Sequence, residues 1–247
     1  WDLYEIGRNY NRRHNVYSEG KENYDYYHGR QWEGIRKPKS QAEPITMNIV
    51  KPIVKYKLGI INQNSFEIVF SPNTYSSKRE LEKMKSVTRG LSQFVNRTWE
   101  KSQSGKTVRA IVKNACINSE GIIYFYNEDE EILSEEIDKN NIYYGNENNS
   151  NIQEQPYILV TYRKPVKEMK ERARYYRDQG YNNLSDEEID SIVSDLDYDE
   201  QQGKEFMQQE ISPMCLVIKR FERMEDGKIW VSESTKTCDI IKPQETK

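Results

Sequence analysis

The sequence predicts an α+β fold in which long helices come first and small antiparallel sheets are inserted later. The helices are indicated by capping boxes at Ser77–Glu80 and Ser185–Glu188, the first followed by apolar residues at helical spacing. The sheets are indicated by a change of apolar period to about 2 residues after Gly121. Glu225-Asp226-Gly227 is a strong hairpin signal near the C-terminal end.

The N-terminal elements are expected to be helical. Residues 3–28 contain tyrosines at roughly helical steps, and this run ends where Gly29 and Gly34 flank Trp32. Asn48 is a good N-cap for a second helix that reaches about residue 62. One face of that helix contains Ile49, Ile53, Tyr56 and Ile60. The alternation in residues 65–70 predicts a short strand.

Two amphipathic helices in tandem are expected after Ser77, with a break at Ser104-Gly105. The apolar stripe of the first contains Leu81, Met84, Val87, Leu91, Phe94 and Val95, and that of the second contains Val108, Ile111, Val112, Ala115 and Cys116.

Strands are expected to dominate from residue 121 onward. The segments GIIYFYN, EEILSEEI and NIYYG predict a three-stranded meander, and PYILVTYRKP predicts a strand that ends at Pro165. A helix then extends to a C-cap at Gly180, and a short acidic helix starts at Ser185. Residues 197–210 have no period and are expected to be mobile. The strands do not alternate regularly with helices, which argues against a doubly wound fold.

The composition is that of a folded chain with a small core of its own. The 247 residues are 35% hydrophobic with a mean hydropathy of −0.98, yet they include 18 tyrosines and 4 tryptophans. Tyrosine supplies buried area while keeping a polar tip, and it is enriched at subunit contacts. Because the chain begins at Trp1 rather than Met, we expect it to be part of a longer protein.

Several function classes are unsupported by the sequence. Three cysteines without a C-x-x-C spacing argue against a disulfide framework or zinc ribbon and favour a reducing compartment. No apolar run reaches the about 18 residues that cross a bilayer, so no membrane role is expected. Phosphate-binding glycine motifs are absent, and His14 and His28 are expected to be surface residues. We therefore expect no enzyme activity and no cofactor.

Two acidic patterns are candidate metal sites. Asp195, Asp197 and Asp199 have the spacing of the first ligands of an EF-hand, but Glu200 and Phe206 stand where Gly and Glu are required. Glu168-Met169-Lys170 has the E-x-K spacing, and it leaves a metal-dependent nuclease, or another nucleic-acid-processing enzyme, as the alternative function.

Basic residues are concentrated in two places. One predicted helix contains Lys164, Lys167, Lys170, Arg172, Arg174 and Arg177, and the first strand of the final hairpin contains Lys219, Arg220 and Arg223. Such surfaces could follow a phosphate backbone. Interleaved carboxylates make a solvated, salt-bridged face at least an equal alternative, and the net charge of −3 argues against tight sequence-specific DNA binding.

The order of these features resembles the N-terminal half of the portal protein of tailed bacteriophages. The resemblance rests on an aromatic helix ending in YYHGRQWEG, a helix matched at Asn48, Ile49, Ile53 and Gly59, and a helix entering strands with Ala110, Ala115 and Gly121 in comparable places. It covers most of residues 1–165 and continues beyond by the order of elements. Asn118-Ser119-Glu120 departs from a glycine pair found in some relatives.

The resemblance implies a wing-like domain (1–165), a first stem helix (166–180) and a clip-like region (181–247). The returning stem, channel region and crown are expected to lie outside this chain. The implied function is a structural subunit of a ring, commonly a 12-mer, at the capsid vertex of the virion. Double-stranded DNA is packaged and ejected through that ring, which also contacts the terminase large subunit, the major capsid protein and the head-tail adaptor. Assembly is expected in the host cytoplasm.

The resemblance also gives the candidate residues their roles. Residues facing the DNA channel or the terminase are expected to be Lys167, Lys170, Arg174, Lys219, Arg220 and Arg223. Contacts to other subunits or to the capsid are expected at Tyr10, Tyr17, Tyr24 and Trp32.

Overall fold

The tyrosine-rich arm forms two helices, α1 (Asp2–Arg13) and α2 (Val16–His28), in the computed structural model. The break falls at Asn15, whose φ of 59° lies in the left-handed region that Asn tolerates better than most residues. The structure describes residues 1–33, 45–63, 68–73, 77–128, 131–195 and 213–245. The chain divides into two units, of which unit 1 comprises Trp1–Ser18 and Asn140–Lys247, and unit 2 comprises Glu19–Lys139.

Unit 2 is built around three further helices, α3 (Val50–Gln63), α4 (Lys78–Lys101) and α5 (Ser104–Asn118). The expected caps are present: Lys51 N donates to Asn48 Oδ1 at 3.0 Å, and Glu80 N donates to Ser77 Oγ at 3.3 Å. The predicted break between α4 and α5 falls at Gln103, which has a positive φ of 52°.

Strands β1 (Ile122–Glu128) and β2 (Glu131–Ile137) form a separate two-stranded antiparallel hairpin in unit 2. Helix α5 packs against α3, α4 and this hairpin. The strand predicted over residues 65–70 lies partly outside the described residues, and residues 68–70 are not in a strand. Instead Ile68 N donates to Asn96 Oδ1 of α4 at 3.2 Å, so a side chain of α4 satisfies this backbone group.

Unit 1 contains a five-stranded antiparallel sheet in the order β3-β4-β5-β6-β7. The predicted three-stranded meander is therefore wrong at its third strand, because β3 pairs with β4 rather than with β2. The predicted hairpin at Gly227 is confirmed, with a φ of 81° that favours glycine. The strand bounds are β3 (Ile142–Tyr144), β4 (Tyr157–Pro165), β5 (Met214–Arg223), β6 (Ile229–Ser234) and β7 (Asp239–Glu245).

Both faces of this sheet are covered. Helices α6 (Val166–Asp178) and α7 (Asp186–Asp190) pack on one face, and α1 packs on the other. The α1 side contains Tyr4, whose ring meets Trp1 and Tyr143 edge-on. The buried residues on the α6 side are Met169, Ala173, Leu184, Ile189, Ile192, Cys215, Val217, Ile240 and Ile241.

The segment after α6 is fixed by polar contacts as well as by this core. Buried Asn182 donates to Ala173 O at 3.1 Å and to Ile240 O at 2.7 Å, which joins α6 to β7. The capping box at Ser185–Glu188 is confirmed in both directions. The protein thus has the predicted α+β fold, with helices and small antiparallel sheets.

Candidate functional site

The cations of α6 are paired with carboxylates of the same chain. Lys170 and Arg174 both contact Asp190 Oδ1, at 3.4 and 3.3 Å, and Lys167 Nζ lies 4.0 Å from Glu171. Lys167 is the most exposed of them, since 87% of its side chain is accessible. The structure therefore shows the salt-bridged face that the sequence left open as an alternative, with Lys167 extending into solvent.

The residues at both ends of α6 are also paired with oppositely charged groups. Arg177 Nη1 donates to Asp186 Oδ1 at 2.8 Å, and this contact lowers the pKa of the Asp186 carboxyl and raises the pKa of the Arg177 guanidinium. Lys164 Nζ of β4 lies 3.0 Å from Glu168 Oε1, so Glu168 and Lys170, which share α6, are each in an ion pair with a residue outside that helix.

The cations of β5 lie on different faces of the sheet. Lys219 is opposite Glu233 in the register, on the α6 side, and its ammonium lies 5.8 Å from the Phe221 ring centroid. Arg220 points to the other side, where it lies 2.5 Å from Glu222, and Arg223 is exposed near the strand end. Because successive side chains of a strand alternate, Lys219 and Arg223 share one face and Arg220 lies on the other, so these three do not form one basic surface.

Two of the aromatic candidates serve contacts within the chain. The Tyr17 hydroxyl lies 3.1 Å from the Tyr143 hydroxyl in unit 1, and the Tyr24 hydroxyl donates to Asn114 Oδ1 at 2.5 Å in unit 2. Tyr10 stacks on His14 with a centroid distance of 4.0 Å, and Trp32 is exposed. Of the four candidates Trp32 is the exposed one, whereas Tyr10, Tyr17 and Tyr24 are half-buried.

A polar network surrounds Tyr24. Asn114 also donates to Glu136 of β2, and burial raises the pKa of both the Tyr24 hydroxyl and the Glu136 carboxyl. Nearby Asp138 raises both further by its negative charge. This network connects α2, α5 and β2, and the hydroxyl group of Tyr24 is the part of the aromatic arm that joins it.

A buried ion pair lies between α6 and the sheet. Glu233 of β6 has no solvent exposure, and its two oxygens are contacted by Arg172 Nε at 3.1 Å and Nη2 at 3.2 Å. Arg172 also donates to the Tyr176 hydroxyl at 3.2 Å. Burial and the adjacent Glu233 raise the pKa of Tyr162 well above its usual value. Sequence reasoning missed this pair because the two residues are 61 positions apart.

Sequence reasoning also missed a large exposed apolar surface in unit 2. The predicted apolar faces of α3 and α4 do not turn inward as a whole. Val54 of α3 is buried, whereas the predicted stripe of that helix is exposed, and α4 has no fully buried residue. The exposed apolar side chains include Ile49, Val50, Ile53, Tyr56, Ile60 and Ile61 in or beside α3, and Val87, Leu91 and Phe94 in α4.

The described residues contain no group of three or more His, Cys, Asp or Glu side chains placed to hold a metal ion. Within the same ranges, every helix is too short or too polar to cross a bilayer. The main features of the described residues are therefore exposed surfaces and the internal ion pairs and hydrogen bonds described above.

The family comparison decides what kind of protein these surfaces belong to. The model of the phage P22-like portal protein family matches residues 5–153, which include most of α1, all of α2 to α5, the β1–β2 hairpin and β3. The chain belongs to this portal family. A comparison with curated proteins finds no match.

Membership of the portal family gives the chain a structural role in a phage virion. Portal proteins of this family form oligomeric rings that associate with the capsid. The matched residues include the exposed stripes of α3 and α4. A portal subunit can have a small core because neighbouring subunits bury apolar area that one chain leaves exposed.

Proposed function

We propose that this portal-family chain forms a ring at the capsid vertex through which double-stranded viral DNA is packaged and ejected. The observation that supports it is the family match over residues 5–153. The proposed ring is a 12-mer, and it docks the terminase large subunit during packaging and the head-tail adaptor afterwards. We also propose the wing, stem and clip divisions at residues 1–165, 166–180 and 181–247, and assembly in the host cytoplasm.

Electron microscopy and native mass spectrometry of the intact purified protein test the ring. The expected result is a closed particle with a central channel and a mass equal to twelve subunits. A closed ring with a different number of subunits would correct only the proposed number of twelve. A protein that stays monomeric at micromolar concentration, in the presence and absence of the capsid protein, contradicts the proposal.

The candidate DNA-facing residues remain part of the proposal, and Lys167, Lys170 and Arg174 allow the clearest test. A variant with all three changed to Ala should form normal rings but package less DNA, because its α6 face loses positive charge. The matched control is Lys85→Ala, which also removes a surface lysine that has an ion pair, to Glu82 at 3.5 Å. Equal packaging by the triple variant and the control would remove α6 from the DNA path.

The absence of enzyme activity is proposed on the same basis. In α6, Glu168 and Lys170 lie on a helix and pair with Lys164 and Asp190, whereas a nuclease needs such groups to converge around a metal. Supercoiled and linear DNA incubated with the intact protein and Mg²⁺ or Mn²⁺ should remain intact. Cleavage that disappears in Glu168→Gln would favour the nuclease instead.

A further inference from the structure

Helices α3 and α4 contain positive charge that the described part of the chain does not neutralise. Helix α3 contains three lysines and no acidic residue, and basic residues also outnumber acidic ones in α4. Lys83, Arg89 and Arg97 of α4 have no ion pair within the described ranges. The cations of α6, by contrast, are paired with nearby carboxylates. The charge on α4 is thus available to a partner.

Part of α4 combines this charge with exposed apolar side chains. Val87, Leu91 and Phe94 recur at helical spacing and are 62%, 45% and 60% exposed. Lys83 precedes them and Arg97 follows them, each about one turn away on the same side. We call the surface formed by Lys83, Val87, Gly90, Leu91, Phe94 and Arg97 the α4 face.

Gly90 is a second, independent sign of close contact on the α4 face. A glycine inside a helix lowers its stability relative to Ala. A Cβ at this position would meet nothing within 4 Å, so none of the residues that the structure describes requires the glycine. A missing side chain beside exposed Leu91 and Phe94 leaves room for the partner's side chains to approach the helix backbone.

The β1–β2 hairpin has the opposite charge. Residues 122–138 contain no lysine or arginine, and the strands contain Glu128, Glu131, Glu135 and Glu136. One face of the hairpin meets α5, because Ser134 lies 3.1 Å from Ser104 and Glu136 accepts from Asn114.

The other face of the hairpin is the candidate partner surface. Cross-strand neighbours share a face, and Tyr124 pairs with Glu135 while Tyr126 pairs with Leu133. The two tyrosine rings stack at 5.3 Å, and Glu131 and Glu135 are exposed. This outer hairpin face, formed by Tyr124, Tyr126, Glu131, Leu133 and Glu135, is therefore rich in tyrosine and acidic, whereas the α4 face is apolar and basic.

We propose that the outer hairpin face of one copy docks on the α4 face of a neighbouring copy. This inference rests on the proposed function, because it assigns the contact by which the ring would close. The two surfaces differ, so the contact is head-to-tail, which is the kind of contact that produces a ring. Apolar side chains at the centre with charges at the rim are typical of a protein interface. A DNA backbone would favour an uninterrupted basic surface.

Charge reversal with rescue tests this pairing. Lys83→Glu/Arg97→Glu should raise the protein concentration needed for half-maximal assembly by about tenfold, because like charges would then meet across the interface. Glu131→Lys/Glu135→Lys should act in the same direction. Loss of the exposed Glu131–Lys101 contact within the chain should itself have little effect. The quadruple variant should recover most of the assembly. Analytical ultracentrifugation of the intact protein gives the readout.

Arg89→Glu is the matched control, because Arg89 is exposed on the same helix about 160° from Val87. It should assemble like the wild type, and all variants should keep the wild-type circular dichroism spectrum.

Two results would overturn the inference while leaving the ring in place: normal assembly by both double variants, or no rescue in the quadruple variant. Loss of DNA binding with normal assembly would also overturn it and assign the α4 face to nucleic acid. A wild-type protein that never assembles would contradict the proposed function itself.

Discussion

The buried Arg172–Glu233 pair gives the sharpest stability prediction. Glu233 is fully buried, and both of its oxygens lie 3.1–3.2 Å from nitrogens of Arg172. Arg172→Met keeps most of the apolar stem but leaves a buried carboxylate without its guanidinium. Removing one partner of a buried ion pair costs about 3–5 kcal/mol. We expect a loss of that size in the free energy of unfolding of unit 1.

A double-mutant cycle separates the charge effect from lost packing. In a Glu233→Gln background no buried charge is left unpaired, so Arg172→Met should cost only about 1 kcal/mol. The coupling energy between the two positions is then about 2–4 kcal/mol. Lys167→Met is the control, since it removes a cation of α6 that is 87% exposed, and it should change stability by less than about 0.5 kcal/mol.

Urea unfolding followed by tryptophan fluorescence provides the assay. Trp1 and Trp230 lie in unit 1, so a Trp32→Phe/Trp99→Phe background restricts the signal to that unit. Low protein concentration keeps assembly from adding to stability. An Arg172→Met cost below about 1 kcal/mol, or the same cost in both backgrounds, would show that Arg172 does not compensate the buried charge.

Further predictions concern backbone space, pH and thiol reactivity. Gly90→Ala should stabilise the unassembled chain by up to about 1 kcal/mol, because Ala favours a helix more than Gly does. Gly121→Ala should destabilise the chain by about 1–3 kcal/mol, because the new Cβ would lie 2.5 Å from Ile111 Cγ2 and 2.8 Å from Ile111 O. Thermal unfolding of both variants checks these opposite signs. The raised pKa of Glu136 means that folding favours its protonated form. The stability that protonated Glu136 contributes is therefore present below the unfolded pKa and is lost as pH rises through the folded pKa. Glu136→Gln should therefore raise the melting temperature at pH 7 and change it little at pH 4, and an equal shift at both values would refute this. Burial raises the pKa of Cys215 to about 11, so mass spectrometry at pH 8 should find it alkylated only after unfolding; rapid labelling of the native protein would contradict the burial.

Local signals in the sequence are sufficient to predict the helix starts and the last hairpin. Asn48, Ser77 and Ser185 cap helices by contacts within three residues of themselves, and Gly227 adopts the conformation that its turn requires. Such features depend on neighbouring residues alone, so one sequence is enough to reveal them.

Long-range pairing could not be predicted in the same way. Strand β3 follows β2 closely but joins the larger sheet, where Tyr143 receives the ring of Tyr4 from α1. Trp1 Nε1 donates to Thr235 O at 2.7 Å across 234 positions. These partners are chosen by tertiary packing, which periodicity does not report.

The candidate surfaces were only partly predictable. The basic residues of α6 and β5 were located by sequence, but sequence could not separate DNA-facing residues from ion-paired ones, because Asp190 and Glu222 become partners only in the fold. The sequence predicts the apolar stripes on α3 and α4, but it does not predict that these stripes are exposed to solvent. Periodicity shows that a helix has an apolar face without showing whether the same chain covers it.

The division of unit 1 into Trp1–Ser18 and Asn140–Lys247 has a consequence for synthesis on the ribosome. Helix α1 emerges before its sheet, which is not made until the whole of Glu19–Lys139 has been translated. At about 5–20 residues per second, those intervening residues take roughly 6–24 s to appear. During that time Tyr4 has no sheet to pack against, while the inserted unit can already fold. The nascent chain can therefore complete the inserted unit before unit 1, and during that time helix α1 is a segment that a chaperone could bind.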